Sequence, residues 1–220
     1  MGEPPVYALS TAWNYKRFKD ARDMAEEIRS LGFDSVELNF ALTEAQVNDF
    51  IKLRDSGYLN ITSAHNFCPL PFGVLPKNAS PEYYALSSRD KEERALAVKF
   101  TKRSMDFAKR AGASALVLHL GRVEIKDRTK GLFALAGQAG FEKEKASVLF
   151  ERKEKALPFM DAAIESLAKL LEHAGETGID IGLENRYYIK EMPSFEEFKI
   201  IFDTLNDKHL FYPFARKPRL

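Results

Sequence analysis

Residues 178–185 read GIDIGLEN, a glycine followed by a short apolar strand with a glutamate near its far end. The same order of helical segment, glycine, apolar strand and polar end residue occurs at 32–39, 57–65 and 112–119. This recurrence predicts βα units repeated around a barrel. In such a barrel the carboxyl ends of the strands converge on one active-site mouth.

Four side chains able to do chemistry stand near the ends of these strands: Glu37, His65, His119 and Glu184. Because strand side chains alternate between faces, we expect these four inside the barrel and the apolar residues between them under the helices. A buried carboxylate is unfavourable unless it is paired, hydrogen bonded or bound to a cation. Two carboxylates and two imidazoles that converge therefore predict a metal site.

The fold class predicted from this pattern is α/β: an incomplete (β/α)8 barrel of five to six βα units with parallel strands. The first strand is predicted at 6–12, and five units use about 205 residues, whereas a complete barrel needs about 250. Residues 206–220 allow a short sixth strand at 210–214, but no helix follows it. We predict one partial barrel domain over 1–220, with an atypical tail at 206–220 and without the last two or three units.

Two long loops interrupt the pattern, at 67–87 and 122–141. Loops of this length in compact domains are often functional, and we expect these two to cover the mouth. Residues 142–155, rich in Lys and Glu, are predicted as a solvated helical face, and Pro158 is predicted to kink or restart that helix. Capping boxes at 43–46 and 194–197 predict the starts of two other helices.

Composition and charge argue against several classes of partner. The net charge of +1 gives no electrostatic footprint for nucleic acid, so nucleic acid is not an expected partner. No run of eighteen apolar residues occurs, so no membrane partner is expected. The first five residues lack the features of a signal peptide, and a single cysteine, Cys68, suits a reducing compartment. We therefore predict a cytoplasmic protein.

Four short motifs carry a family resemblance: GFDSVEL at 32–38, SAH at 63–65, LHLG at 118–121 and GLENR at 182–186. In this order and spacing they resemble the xylose isomerase-like TIM barrels. That superfamily contains sugar-phosphate isomerases and epimerases, and also apurinic endonucleases of the endonuclease IV type. The resemblance extends over about residues 6–205.

The resemblance implies a role for each matching residue. Glu184 matches the metal-binding glutamate of the family and is expected, with Glu37 and His65, to take part in catalysis. His65 and His119 match histidines that bind metal in the endonuclease branch and more often face the substrate in the isomerase branch. Arg186 is suited to binding a carboxylate or a phosphate.

Two more residues are candidates for substrate binding by position alone. Asn39 follows the second predicted strand, and Trp13 follows the first. Each has a structural alternative, because Asn39 can hydrogen-bond a strand end and Trp13 can pack in the core. Structural alternatives are also open for the other candidates: the histidines can bond to backbone carbonyls, and Glu37 and Arg186 can form ordinary ion pairs.

By this resemblance the expected function is that of a metal-dependent isomerase or epimerase acting on a sugar or sugar phosphate. The expected chemistry is proton abstraction next to a carbonyl, with Mn, Mg or Zn polarising the oxygens. The further metal ligands of the family, which include a His-Asp-x-Gly-His segment, have no counterpart in 206–220. This chain alone is therefore expected to hold its cation weakly or not at all, and whether it is active by itself stays open.

Two alternative functions remain open from the sequence: an endonuclease IV-like DNA-repair phosphodiesterase, and a non-catalytic remnant or binding module. The open edges of an incomplete barrel also predict self-association.

Overall fold

The structure, a computed structural model, describes residues 6–212 as alternating strands and helices. The strands are β1 Leu9–Ser10, β2 Ser35–Leu38, β3 Asn60–His65, β4 Ala115–Leu118, β5 Gly121–Arg122, β6 Asp180–Leu183, β7 Glu191–Met192 and β8 Leu210–Phe211. The helices are α1 Ala21–Ser30, α2 Glu44–Asp55, α3 Lys91–Arg110, α4 Thr129–Ala134, α5 Phe141–Thr177 and α6 Phe195–Leu205.

Six of the strands form one parallel sheet in the order β1-β2-β3-β4-β6-β8. Its neighbours are joined through α1, α2, α3, α5 and α6, which is the predicted βα repeat. Within residues 6–212, β1 pairs with β2 and β8 pairs with β6, but the two edge strands do not pair with each other. The sheet is therefore an unclosed part of a barrel, as the sequence predicts.

The core lies between this sheet and its helices. The residues that alternate with the polar strand positions are almost fully buried, and a buried aliphatic side chain of this kind stabilises the fold by about 1.5–3 kcal/mol. They are Val36, Leu38, Leu116, Leu118, Ile181 and Leu183. The strand alternation read from the sequence is confirmed at all six positions.

The repeated glycines end the helices as the sequence predicts. Gly32, Gly57, Gly112 and Gly178 have φ angles of 89°, 73°, 71° and 75°, a region that other residues rarely adopt. Both capping boxes are also present, at the starts of α2 and α6. Local sequence therefore determines where these units turn.

Three predicted elements differ from the structure. The first strand is only Leu9–Ser10, because Ser10 caps a 3-10 turn at Thr11–Trp13. Pro158 lies inside the uninterrupted helix α5, whose flanking turns are held by buried contacts on both sides of it. The sixth strand is seen as β8, while residues 213–214 of that prediction, like the rest of the tail, lie outside the described residues.

The segment predicted as the loop 122–141 contains secondary structure. It begins in β5, which pairs antiparallel with β7, and continues into α4. The pairing is short, with Val123 N–H donating to Lys190 O at 2.8 Å beside it. It ties the chain after β4 to the chain after β6, directly above the ends of those strands.

A buried ion pair locks α5 to α6. The Arg152 guanidinium donates to both carboxylate oxygens of Glu197, at 2.6 and 2.9 Å, and to the backbone oxygens of Ile189 and Glu191. Arg152 is 7% exposed. The prediction of a solvated face over 142–155 is therefore wrong at this residue.

Candidate active site

Three of the predicted residues meet at the carboxyl ends of the neighbouring strands β3, β4 and β6. His65 is the last residue of β3, and His119 and Glu184 directly follow β4 and β6. Glu184 Oε2 lies 3.3 Å from His119 Nε2 and 3.6 Å from His65 Nε2. The two imidazole rings meet edge to face with their centres 4.8 Å apart.

Backbone pairing fixes this meeting point. Asn66 N–H donates to Val117 O at 2.8 Å, and Glu184 N–H donates to Leu118 O at 3.1 Å. The His65 ring is oriented as well, because its Nδ1 lies 2.9 Å from the carbonyl oxygen of Asn66. A carbonyl oxygen only accepts hydrogen bonds, so the ring carries a proton on Nδ1 and turns its Nε2 toward Glu184.

The electrostatic environment sets the protonation of the other two side chains. Hydrogen bonding with His119, and then with His65, holds the pKa of Glu184 far below its usual range. Burial lowers the pKa of His119 to about 4, although Glu184 acts in the opposite direction. At neutral pH the site therefore contains a carboxylate and a neutral imidazole, the forms in which these groups bind metal ions.

The geometry fits a divalent cation. The three ligand atoms all lie within 4.8 Å of one another. In a tetrahedral site with bonds of 2.0–2.2 Å, ligand atoms are about 3.4 Å apart, close to the 3.3 and 3.6 Å between Glu184 and the two histidines; the two imidazole nitrogens are within 4.8 Å of each other. Two imidazole nitrogens and one carboxylate oxygen suit Zn or Mn better than Mg, which prefers oxygen ligands.

A second layer of charged groups lies behind His119. Glu82, in the loop before α3, and Glu191, in β7, are both buried. Arg186 Nη1 lies 3.1 Å from Glu191 Oε1 and 3.5 Å from Glu82 Oε1, and Glu82 Oε1 lies 3.8 Å from His119 Nδ1. Burial raises the pKa of Glu82 to about 7, although Arg186 opposes the shift.

Sequence reasoning missed Glu82 and Glu191. The long loop 67–87 was a signal that this segment has a function, but nothing in it distinguishes Glu82 from its neighbours. Gly121 is the last residue of the LHLG motif, and the motif alone does not indicate its role. Its φ of 117° and its contact with the loop leave no room for a side chain, since a Cβ there would collide with Ser87 and Ala85.

The other sequence candidates lie around this cluster. Glu37 pairs across the sheet with Ser63, two residues before His65, and accepts a hydrogen bond of 3.0 Å from the Ser63 hydroxyl. It therefore lies one layer deeper, on the same face of the sheet as His65.

Asn39 and Trp13 have other contacts. Asn39 is buried, and its amide donates to the Thr11 hydroxyl and accepts from Ala41 N–H, so it holds the turn after β2. Trp13 is 46% exposed and lies under the Arg17 guanidinium, 4.2 Å from the ring centre, so packing in the core does not occur.

A separate cavity of about 1140 Å³ lies between α5 and α6. Its wall is mainly apolar, with Leu157, Met160 and Ile200 among its lining residues, and Glu191 borders both this cavity and the charged layer. The cavity does not include the two histidines or Glu184. The candidate metal ligands therefore lie at the strand ends and not in this groove.

Comparison with known proteins identifies the family. A family model described as the xylose isomerase-like TIM barrel matches residues 25–214. The chain belongs to this family. No helix within residues 6–212 is long and apolar enough to cross a membrane, and no curated protein gives a significant match.

Solved structures share this xylose isomerase-like fold at low sequence identity. A D-tagatose 3-epimerase-like protein superposes with a TM-score of 0.61 at 19% identity, over 94% of this chain and 64% of that protein. A 3-keto-D-glucoside 4-epimerase from E. coli gives a TM-score of 0.62 at 15% identity, over 93% and 66%. The IolI protein with a bound zinc atom gives 0.58 at 14% identity, over 93% and 60%. The chain thus spans about three fifths of the length of these structures.

Proposed function

We propose that this chain carries part of the active site of a metal-dependent sugar isomerase or epimerase. The observation that carries the proposal is the cluster of His65, His119 and Glu184 at the mouth of a xylose isomerase-like barrel. The sugar epimerases among its structural neighbours support the same class of substrate. The zinc atom in the IolI protein supports a cation in such a fold.

The three clustered residues would hold the cation. When bound, a divalent cation polarises the oxygens of a hydroxy-carbonyl sugar and so acidifies the proton next to the carbonyl. Three protein ligands leave at least one position open for a substrate oxygen or water. Glu37, half-buried one layer below His65 and held by the Ser63 hydroxyl, is the proposed carboxylate for moving a proton.

The charges around the site favour an unphosphorylated sugar over a sugar phosphate. Arg186 was the expected phosphate-binding residue, but its guanidinium lies against the carboxylates of Glu82 and Glu191. Its positive charge is therefore already balanced by Glu191 and in part by Glu82, and it has little left to offer a dianion. We propose that Arg186 orders this acidic pair instead of binding substrate.

Metal binding is the first test. We expect isothermal titration of the metal-free protein with zinc and manganese to show one site per chain, and Glu184→Gln to abolish that site by removing its only charged ligand. His173→Ala is the matched control, because His173 lies on α5 and bonds to Asp106 and Glu176. It should bind zinc as the wild type does. If the wild type binds no cation, the proposed metal site is wrong.

Proton exchange is the second test. In heavy water with manganese, the protein is expected to introduce deuterium next to the carbonyl of a ketohexose, as seen by NMR of the sugar. Glu37→Gln should lower this exchange without lowering metal affinity. A protein that binds one cation but exchanges no proton, with any ketohexose or ketohexose phosphate tested, would be a binding module and not an isomerase.

A further inference from the structure

Two buried polar atoms face each other behind the candidate metal ligands. Glu82 Oε1 and His119 Nδ1 are 3.8 Å apart, and neither has a hydrogen-bond partner among the described residues. Their side chains are 4% and 6% exposed, so bulk water does not reach them freely. Buried polar atoms are nearly always hydrogen bonded, so an imidazole nitrogen and a carboxylate oxygen that face each other at 3.8 Å without a hydrogen bond need an explanation.

The two nitrogens of His119 point to different carboxylates. Nε2 lies 3.3 Å from Glu184, while Nδ1 faces Glu82. A neutral imidazole has one proton to donate. Without a cation the closer carboxylate receives it, so Nε2 carries the proton and Nδ1 has none to offer Glu82.

A cation at the cluster would reverse this arrangement. Binding through Nε2 needs the lone pair of that nitrogen, so the single ring proton must then be on Nδ1. A metal-binding histidine commonly donates its other N–H to a carboxylate, which fixes the ring and makes it a better ligand. The only carboxylate that the described structure places toward His119 Nδ1 is Glu82.

We propose that Glu82 is a positioning residue that accepts the Nδ1–H of His119 when His119 binds a cation through Nε2. This inference rests on the proposed metal site, and it does not require a sugar substrate. It accounts for the gap of 3.8 Å between the two atoms, because without a cation Nδ1 has no proton to donate, and the hydrogen bond from Nδ1–H to Glu82 forms only in the loaded site.

The surrounding structure holds Glu82 ready for this role. Arg186 lies 3.5 Å from the same Glu82 oxygen and partly balances its charge. The loop that carries Glu82 is fixed to the start of α3, because Glu93 accepts hydrogen bonds from Ala85 N–H and the Ser88 hydroxyl. The carboxylate therefore needs only a small side-chain movement to reach Nδ1.

NMR of the ring nitrogens tests the proton position directly. In long-range proton–nitrogen spectra of the metal-free protein, we expect His119 to be protonated on Nε2. One equivalent of zinc should move the proton to Nδ1. If His119 keeps its proton on Nε2 in the zinc-loaded protein, the inference is overturned.

Zinc affinity tests the role of Glu82. Glu82→Ala should weaken zinc binding ten- to a hundredfold, the usual effect of losing such a partner. Glu82→Gln should restore most of the affinity, because its amide oxygen can also accept Nδ1–H. Glu191→Gln is the matched control, since Glu191 is equally buried and pairs with Arg186 but does not face His119. It should bind zinc as the wild type does.

The outcomes separate the two proposals. Unchanged zinc affinity in Glu82→Ala overturns this inference but leaves the metal site intact. A similar loss in Glu82→Gln and Glu191→Gln would assign the effect to total charge, and would also overturn it. A wild type that binds no zinc overturns both proposals. Zinc binding that depends on Glu82, without exchange into any sugar, would overturn only the enzymatic function. If Glu82→Ala does not fold, Glu82→Gln and the proton position decide.

Discussion

At the scale of single residues, burial shifts the pKa values of Glu82 and His119 in opposite directions. Burial raises the pKa of Glu82 to about 7 and lowers that of His119 to about 4. The contribution of Glu82 to stability is therefore fully present below its ordinary pKa of 4.5 and is lost as the pH rises to about 7. That of His119 is present above 6.5 and is lost as the pH falls to about 4.

These opposite slopes predict a pH dependence that a variant should reveal. We expect the free energy of unfolding of the metal-free wild type, minus that of Glu82→Gln, to fall by about 3 kcal/mol between pH 4.5 and 7. Urea titrations with a chelator at several pH values measure it. For His119→Gln, the same difference from the wild type should rise as the pH rises from about 4 to 6.5. If the difference in unfolding free energy between wild type and Glu82→Gln does not change with pH, the burial of Glu82 does not raise its pKa.

Gly121 is the residue on which the placement of the Glu82 loop depends most directly. Gly121→Ala forces a side chain into a φ of 117° and against Ser87 and Ala85. We expect it to lower the free energy of unfolding by about 2–4 kcal/mol and to weaken zinc binding as the loop shifts.

The control for that substitution is Gly131→Ala. Gly131 lies in α4 with open space around its Cα, so alanine there should keep or raise stability by up to about 1 kcal/mol. Urea titration and zinc titration of both variants test the argument. Equal stability of Gly121→Ala and wild type would contradict it.

At the scale of elements, the Arg152–Glu197 pair connects α5, α6 and the chain that enters β7. Arg152 also donates to Glu191 O, and Glu197 also accepts from Ser194 N–H at the start of α6. The pair thus holds the strand that carries Glu191, and with it one of the two acidic partners of Arg186. Helix packing and site geometry are coupled through a single guanidinium.

Removing Arg152 should therefore be severe. Arg152→Leu leaves the Glu197 carboxylate buried without its partner and is expected to cost about 3–5 kcal/mol of unfolding free energy in urea titration. Adding Glu197→Gln should recover part of this loss. Lys155→Ala, which removes an exposed pair with Glu151 on the same helix, should cost about 0.3–0.5 kcal/mol. If Arg152→Leu and Lys155→Ala lower the unfolding free energy by similar amounts, the buried pair stabilises the fold no more than the exposed one.

At the scale of the whole molecule, the described sheet has two edges that do not pair with each other, β1 and β8. Unpaired edge strands offer backbone donors and acceptors to another chain. The sequence prediction of self-association therefore stays a prediction, now with these two edges as its structural basis. The prediction of one partial barrel domain over 1–220 likewise remains to be tested.

Light scattering after size exclusion can test self-association of the chain of 220 residues. We expect its average mass to rise with concentration, and Phe211→Lys, on β8, to shift it toward the monomer. Phe133→Lys is the control, because Phe133 is exposed on α4, a helix that supplies neither edge strand. A monomer at every concentration would contradict the expectation.

The sequence by itself determined the local units and the convergence of one set of side chains. Glycines with positive φ and capping boxes act within a few residues, and strand alternation follows from backbone geometry. This is why the meeting of His65, His119 and Glu184 could be anticipated from the order of the parallel strands. The structural role of Asn39 could not be decided in this way, since it depends on a hydrogen bond with Thr11, 28 residues earlier in the chain.

Only the tertiary structure decided which charged groups lie behind His119. Glu82, Glu191 and Arg152 look like ordinary surface residues in the sequence, because charged side chains are usually exposed. The burial of Glu82 and Arg152 depends on partners far along the chain, such as Arg186 for Glu82, 104 residues away, and Glu197 for Arg152, 45 residues away. Burial and pairing over such distances arise only when the helices and loops pack together, and no local pattern records them.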